Sequence, residues 1–232
     1  MISDPVIVDR SLAIDDARIF NEKCGFRHLP VVDGRKLVGI LSDRDLLEAK
    51  EAPGELKTVG EIMSSDVLWV KPDDDILEAA QLLLQNKISC LPVIEDDRVA
   101  GIVTAQDLLG AYVRPCDEDP QDPALNPPIT ARMTRNLILV QPITPLREAW
   151  AMCEAADVRH LIVTAEQHEL LGIVSDRDLR LGISEGLEHI SDVSHADVLT
   201  CPASASLANG ARAMLEAGVS SLPITEAKAR SR

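Results

Sequence analysis

The chain has 232 residues, 46% of them hydrophobic but only 2% aromatic, and a formal net charge of −15. That length suits one or two domains, with cores built from Leu, Ile, Val and Ala rather than rings. An acidic chain without a run of Lys and Arg argues against nucleic acid, or an anionic membrane surface, as a partner.

The longest apolar stretches, residues 67–70 and 137–140 among them, fall far short of the roughly 20 residues that span a bilayer. Asp4, Asp9 and Asp15 interrupt any signal-peptide pattern at the start. Cys24, Cys90, Cys116, Cys153 and Cys201 form no C-x-x-C pair and sit mostly inside apolar patterns. That is the profile of reduced, buried thiols in a cytoplasmic protein.

In chain order the same series of elements recurs. An extended run ends near a proline or an acidic cluster: VIVDRSLAID, then VLWVKPDDDI, LILVQPITPL and VLTCPASASL. A helix follows each. In the second copy Asp73, Asp74 and Asp75 supply an N-cap and first-turn acids, and Ile76, Ala79, Ala80 and Leu83 form an i, i+3, i+4, i+7 stripe. The matching stripes are Leu146, Ala149, Trp150 and Cys153 in the third copy, and Leu207, Gly210, Ala211 and Met214 in the fourth. The first copy is weaker, with Arg18 and Asn21 where apolar residues belong.

Next come a short apolar strand, a polar turn (Asp33-Gly34, or Glu95-Asp96-Asp97), a second strand, and a second helix starting at Ser42, Thr104 or Ser175. The predicted repeat is therefore strand–helix–strand–strand–helix, an α/β (α+β) arrangement. Two motifs mark it. His28-Leu29-Pro30-Val31 aligns with Cys90-Leu91-Pro92-Val93, His160-Leu161-Ile162-Val163 and Ser221-Leu222-Pro223-Ile224. GILSDRD at 39–45, GIVTAQD at 101–107 and GIVSDRD at 172–178 follow the first three.

Odd copies resemble odd copies: Arg-His-Leu precedes the strand, and Ser-Asp-Arg-Asp follows it, only in the first and third. The chain thus reads as a duplicated, already asymmetric pair. The boundaries are repeat 1 at 1–50, repeat 2 at 58–113, a linker at 114–128, repeat 3 at 129–182 and a C-terminally shortened repeat 4 at 190–226. Rich in proline and acids, the linker RPCDEDPQDPALNPP is not expected to continue a helix or sheet. Cys116 within it is expected to be the most exposed thiol.

These motifs resemble the CBS domain (cystathionine β-synthase domain) family, whose repeats pair as Bateman modules. The resemblance implies two modules, each formed by two repeats packed through their sheets about a pseudo-twofold axis, with up to two clefts. In the family those clefts commonly take AMP, ADP or ATP, and less often S-adenosylmethionine or NAD. Carried over residue by residue, the nucleotide-binding positions are Ser42 and Asp45, Thr104 and Asp107, and Ser175 and Asp178. The carboxylate accepts hydrogen bonds from the ribose diol, while the backbone around the Pro-containing strand reads the adenine edge.

Elementary chemistry agrees, because the start of a helix attracts phosphate. The same Ser/Thr-x-x-Asp spacing is also an ordinary capping box, and the two roles are compatible. Arg27, His28, Arg44, Arg159, His160 and Arg177 are the candidate phosphate contacts; surface arginines and half-buried histidines are the plainer reading. His28, His160, His168, His189 and His195 show no metal-ligand spacing, so no metal site is expected. Trp69 either borders an adenine or packs in the core, and Trp150 packs in the core.

No nucleophile–base pair is visible, and the three Asp residues recur as equivalents where an active site needs different groups in different roles. The expected function is a regulatory adenine-nucleotide-binding protein without catalysis, controlling an unidentified partner. The alternative is a ligand-free scaffold for dimerisation or partner binding. Repeat 4 lacks the second motif, so at most three sites are expected. A lead-in segment before repeat 1 is expected to be missing, and a homodimer is expected to cover both defects.

Overall fold

The computed structural model describes residues 2–3, 5–51, 56–119, 122, 125–165 and 169–226. His168, the tail after residue 226 and parts of the linker lie outside them. The chain divides into unit 1, Met1–Ala111, and unit 2, Tyr112–Arg232.

In unit 1, β1 (Ile2–Ser3) precedes the first repeat: β2 (Val8–Asp9), α1 (Ile14–Cys24), β3 (His28–Asp33), β4 (Lys36–Ser42) and α2 (Asp43–Glu51). A short helix α3 (Val59–Ile62) leads into α4 (Ile76–Asn86), β5 (Cys90–Glu95), β6 (Arg98–Thr104) and α5 (Ala105–Glu118). Unit 2 holds β7 (Leu139–Val140), α6 (Leu146–Ala156), β8 (His160–Thr164), β9 (Leu170–Ser175) and α7 (Asp176–Ser184). These are followed by β10 (Cys201–Pro202), α8 (Leu207–Ala217) and β11 (Ile224–Thr225).

In repeats 1 and 3 the Pro-position strand stands in the middle of a small three-stranded sheet, and in repeat 2 it pairs with β6, which β1 joins on the other side. β2 runs parallel to β3 and β4 antiparallel to it, and β7, β8 and β9 repeat that pattern. Pro30 and Pro92 lack the N–H that would bond the preceding run. Ile162 has one, and donates it to the Ile138 carbonyl at 3.1 Å. In repeat 2 the run before the helix contributes only the bridge Val70 to Val93.

Helix stripes close the cores. Ala17, Ala79 and Leu83, and Leu146, Ala149 and Cys153, are buried against Leu29, Leu91 and Leu161 of the central strands. Ile76 departs from its predicted stripe and stands exposed. In α1 the poorer stripe leaves Asn21 with a buried Oδ1 that has no hydrogen-bond partner, while Arg18 turns to Asp15 at 3.1 Å.

The repeats are joined by exchange. Val59, at the start of the lead-in to repeat 2, is fully buried in the core of repeat 1, and Ile190 does the same for repeat 3. Burying such a side chain contributes about 1.5–3 kcal/mol. Further along, the same lead-ins cross the neighbouring sheet: Ser64 pairs with Ile40, and His195 with Ile173. β1 does likewise on β6, Ile2 opposite Ile102, so the crossing part of the lead-in expected to be missing from repeat 1 is present. Ile129 reaches the face of α8, packing where a Cβ on Gly210 would stand.

Three further expectations are corrected. The linker does continue a helix, because α5 runs through Pro115 to Glu118. Its last turn is held by Tyr112 Oη donating to the Leu125 carbonyl at 2.9 Å and by an Asp117–Arg212 ion pair. For the same reason Cys116 is buried, its thiol directed at the Tyr112 and Leu125 carbonyls, and Cys24 is the exposed thiol among the five. Trp69 is not a core residue; it stands 48% exposed. Trp150 is half-buried against the repeat 3 core, with the Arg180 guanidinium 4.0 Å from its ring centre. Among the described residues no helix is long and apolar enough to cross a membrane.

Candidate functional site

The second strand of each complete repeat ends where the second helix begins, and there the predicted hydroxyl and carboxylate meet. Asp45 Oδ2 accepts from the Ser42 amide and hydroxyl, both at 2.7 Å, and the Asp45 amide donates back to Ser42 Oγ at 3.3 Å. Thr104 and Asp107 repeat this at 2.9, 2.7 and 3.3 Å. Ser175 and Asp178 do so at 2.9, 2.6 and 3.2 Å. All three are closed capping boxes.

The first amide of each helix is engaged as well. Asp43 N donates to the Arg27 carbonyl at 3.4 Å, Ala105 N to Ser89 at 3.0 Å and Asp176 N to Arg159 at 2.9 Å. Two amides that sequence alone leaves open to phosphate are therefore bonded within the protein at every helix start.

The environments of the carboxylates differ. Burial raises the Asp45 carboxyl above its ordinary value, against the opposing effect of the bonds from Ser42. Burial also acts on Asp107, but the bonds from Thr104 help hold that carboxyl below the ordinary value. At Asp178 a third group arrives: His195 Nε2 lies 3.5 Å from Oδ2. The lead-in crossing positions this histidine, since its N–H and C=O both bond Ile173, at 3.0 and 3.1 Å.

That crossing also explains the glycine of the motif. A Cβ on Gly172 would stand 2.9 Å from the His195 carbonyl oxygen, and one on Gly39 would stand 3.0 Å from that of Ser64. The glycine admits the neighbouring repeat's backbone.

Arg44 and Arg177 lie exposed in the first turns of α2 and α7, and Arg27 and Arg159 lie exposed just before the central strands. The histidines beside them reach across to the paired repeat. His28 Nε2 is 3.0 Å from Ser89 Oγ, and His160 Nε2 is 3.3 Å from Ser220 Oγ. Sequence reasoning missed both serines and His195. The serines had a signal, since Ser precedes the aligned position only in even repeats, as Ser89-Cys90 and Ser220-Ser221. His195 had none, because Ser64 holds the matching place in unit 1.

A family model described as CBS domain matches residues 1–52, 59–114 and 129–185. The chain belongs to the CBS domain family. The crystal structure of protein MJ1225 from Methanocaldococcus jannaschii shares the fold, with a TM-score of 0.80 at 21% identity over 99% of this chain and 92% of that one. Inosine-5'-monophosphate dehydrogenase of Nitrosopumilus maritimus is 34% identical over 110 residues, 47% of this chain. Homoserine O-acetyltransferase of Methanocorpusculum labreanum is 33% identical over 110 residues. The chain spans only 22% of the length of either relative. Among the described residues no group of three or more His, Cys, Asp or Glu side chains could hold a metal ion.

Proposed function

We propose that this CBS domain protein is regulatory: it binds AMP, ADP or ATP at the helix starts of repeats 1, 2 and 3 and has no catalytic activity of its own. The observation that carries this reading is the recurrence of one hydroxyl–carboxylate box at three equivalent helix starts. A capping box is ordinarily closed by Glu or Gln, whereas here it is Asp each time, as the family motif has it. Asp45, Asp107 and Asp178 would take the ribose diol, and Ser42, Thr104 and Ser175 would turn from the carboxylate to the ligand. Arg27, Arg44, Arg159 and Arg177, with His28 and His160, would meet the phosphates. S-adenosylmethionine and NAD are the less favoured ligands.

Two relatives with different named activities align with this chain at similar identity over about a fifth of their length. Stretches of this chain that recur in proteins of such different named activities are tied to neither chemistry, which supports an accessory, regulatory role. The proposed repeats are those drawn from sequence, at 1–50, 58–113, 129–182 and 190–226. A cytoplasmic homodimer acting on a protein target completes the reading.

A second reading, a scaffold without ligand, is favoured by one observation. The first and third amides of each candidate helix are already bonded inside the protein.

A thermal-shift screen against AMP, ADP, ATP, NAD and S-adenosylmethionine separates the two, since a ligand bound only by the folded state raises the midpoint. The expected result is a rise with an adenine nucleotide that Asp45→Ala, Asp107→Ala or Asp178→Ala diminishes. No rise with any of the five supports the scaffold.

A further inference from the structure

The structure joins the two boxes of unit 1 through a pair of side chains. His28 lies directly opposite Ser42 across the β3–β4 pair, and residues so placed present their side chains on the same face. From there its ring reaches out of repeat 1 to the Ser89 hydroxyl of repeat 2, at 3.0 Å and partly buried. Ser89 in turn accepts, on its carbonyl, the Ala105 amide at 3.0 Å. Ala105 is the residue after Thr104, so it opens the helix that the Thr104–Asp107 box caps. The path from one box to the other is His28, Ser89 and one amide.

Unit 2 repeats the first half of this path. His160 lies opposite Ser175 and reaches Ser220 of repeat 4 at 3.3 Å. Among the described residues the path is followed no further than Ser220. The alternation in the sequence, Arg-His in odd repeats and Ser-Cys or Ser-Ser in even ones, is thereby explained. The histidine of one kind of repeat is matched to the serine of the other, where a second Arg-His would set large side chains against each other.

We infer that the His28–Ser89 bridge is a relay that couples the two clefts of unit 1. This rests on the reading of the boxes as nucleotide sites. A ligand that draws Ser42 from its carboxylate repacks the face that His28 shares, and His28 holds the segment carrying the Ala105 contact. The first ligand therefore bears the cost of setting the two repeats against each other, and the second binds a module already set, which is positive coupling. Ser89 is a positioning residue in this scheme and touches no ligand.

The test is AMP binding to the full chain carrying Asp178→Ala, which silences the unit 2 cleft, compared with the same chain carrying Ser89→Ala, Ser89→Thr or Ser220→Ala in addition. The expected Hill coefficient is about 1.5 with Ser89 intact, falling to about 1 in Ser89→Ala with two molecules still bound. Ser89→Thr, which keeps the hydroxyl, and Ser220→Ala, outside unit 1, both retain the higher value. A coefficient at or below 1 with Ser89 intact overturns the relay while leaving the nucleotide reading standing, as does full cooperativity in Ser89→Ala. Absence of binding of AMP, and of ADP and ATP titrated in the same way, to the unsubstituted protein overturns both.

Discussion

Replacing Gly172 with Ala places one methyl group where the backbone of repeat 4 crosses the sheet of repeat 3. The new Cβ would lie 2.9 Å from the His195 carbonyl oxygen and 3.5 Å from its carbon. Neither is the end of a flexible side chain, so the crossing segment itself must move by several tenths of an ångström. Overpacking of this kind costs about 1–3 kcal/mol. The shift also strains the two backbone bonds between Ile173 and His195, at 3.0 and 3.1 Å, each contributing about 1 kcal/mol. Against this, alanine narrows the unfolded ensemble and returns about 0.4–1 kcal/mol.

The expected net loss is about 2 kcal/mol. Gly39→Ala should cost less, about 1 kcal/mol, because its nearest neighbour is the mobile Met63 side chain, with the Ser64 carbonyl at 3.0 Å. A chain with two units does not unfold in one step, so the units are followed separately. The protein has two tryptophans, and Trp150 alone reports unit 2 once Trp69 is changed to Phe. Urea unfolding followed by Trp150 fluorescence gives the Gly172→Ala effect. A change below about 0.5 kcal/mol, or a larger loss for Gly39→Ala measured on unit 1, would refute the argument that the glycine exists to admit the crossing backbone.

Asp107 and Asp45 should respond oppositely to pH. The folded protein holds the Asp107 carboxyl low, so its contribution is present above the unfolded value of 3.8 and lost as pH falls through the folded one; Asp45 is raised, so its contribution is present below 3.8 and lost as pH rises through the folded value. Asp107→Asn should therefore destabilise unit 1 more than Asp45→Asn at pH 7, with the gap narrowing at pH 3.5, as read by urea unfolding on Trp69 fluorescence. Iodoacetamide at pH 8 should label Cys24 first, because the other four thiols are buried and burial pushes Cys90 up to about 12; mass spectrometry showing early label on Cys116 would contradict its burial. Arg177→Ala should weaken ATP more than AMP if the guanidinium meets the outer phosphates, and calorimetry showing equal losses for both would remove Arg177 from that role.

Much of the fold was legible because four copies of a pattern average out local ambiguity. The second helices begin at the motif hydroxyls, and the helix stripes bury the residues that periodicity selected, Leu146, Ala149 and Cys153 most completely. What stayed hidden depends on segments that leave their own repeat. Pro115 in isolation signals the end of a helix, yet contacts to Leu125 and Arg212, ten or more residues further on, hold that last turn. Ile2, Ser64 and His195 look like loop residues until the sheet of the paired repeat is there to receive them. The box residues were found, but their closure on one another was a choice between two compatible roles that spacing could not make. Ser89 lay within reach of the repeat alignment; His195 did not, because a residue unique to one repeat leaves no echo in the others.

The most direct test of nucleotide binding at the boxes is equilibrium dialysis of radiolabelled AMP, ADP and ATP against the full chain and against the triple variant Asp45→Ala, Asp107→Ala, Asp178→Ala. Saturable binding of at least one of the three nucleotides is expected, with loss of that binding in a triple variant that retains its circular dichroism spectrum. Undiminished binding by the folded triple variant, or no binding of any of the three to the unsubstituted chain, would contradict it.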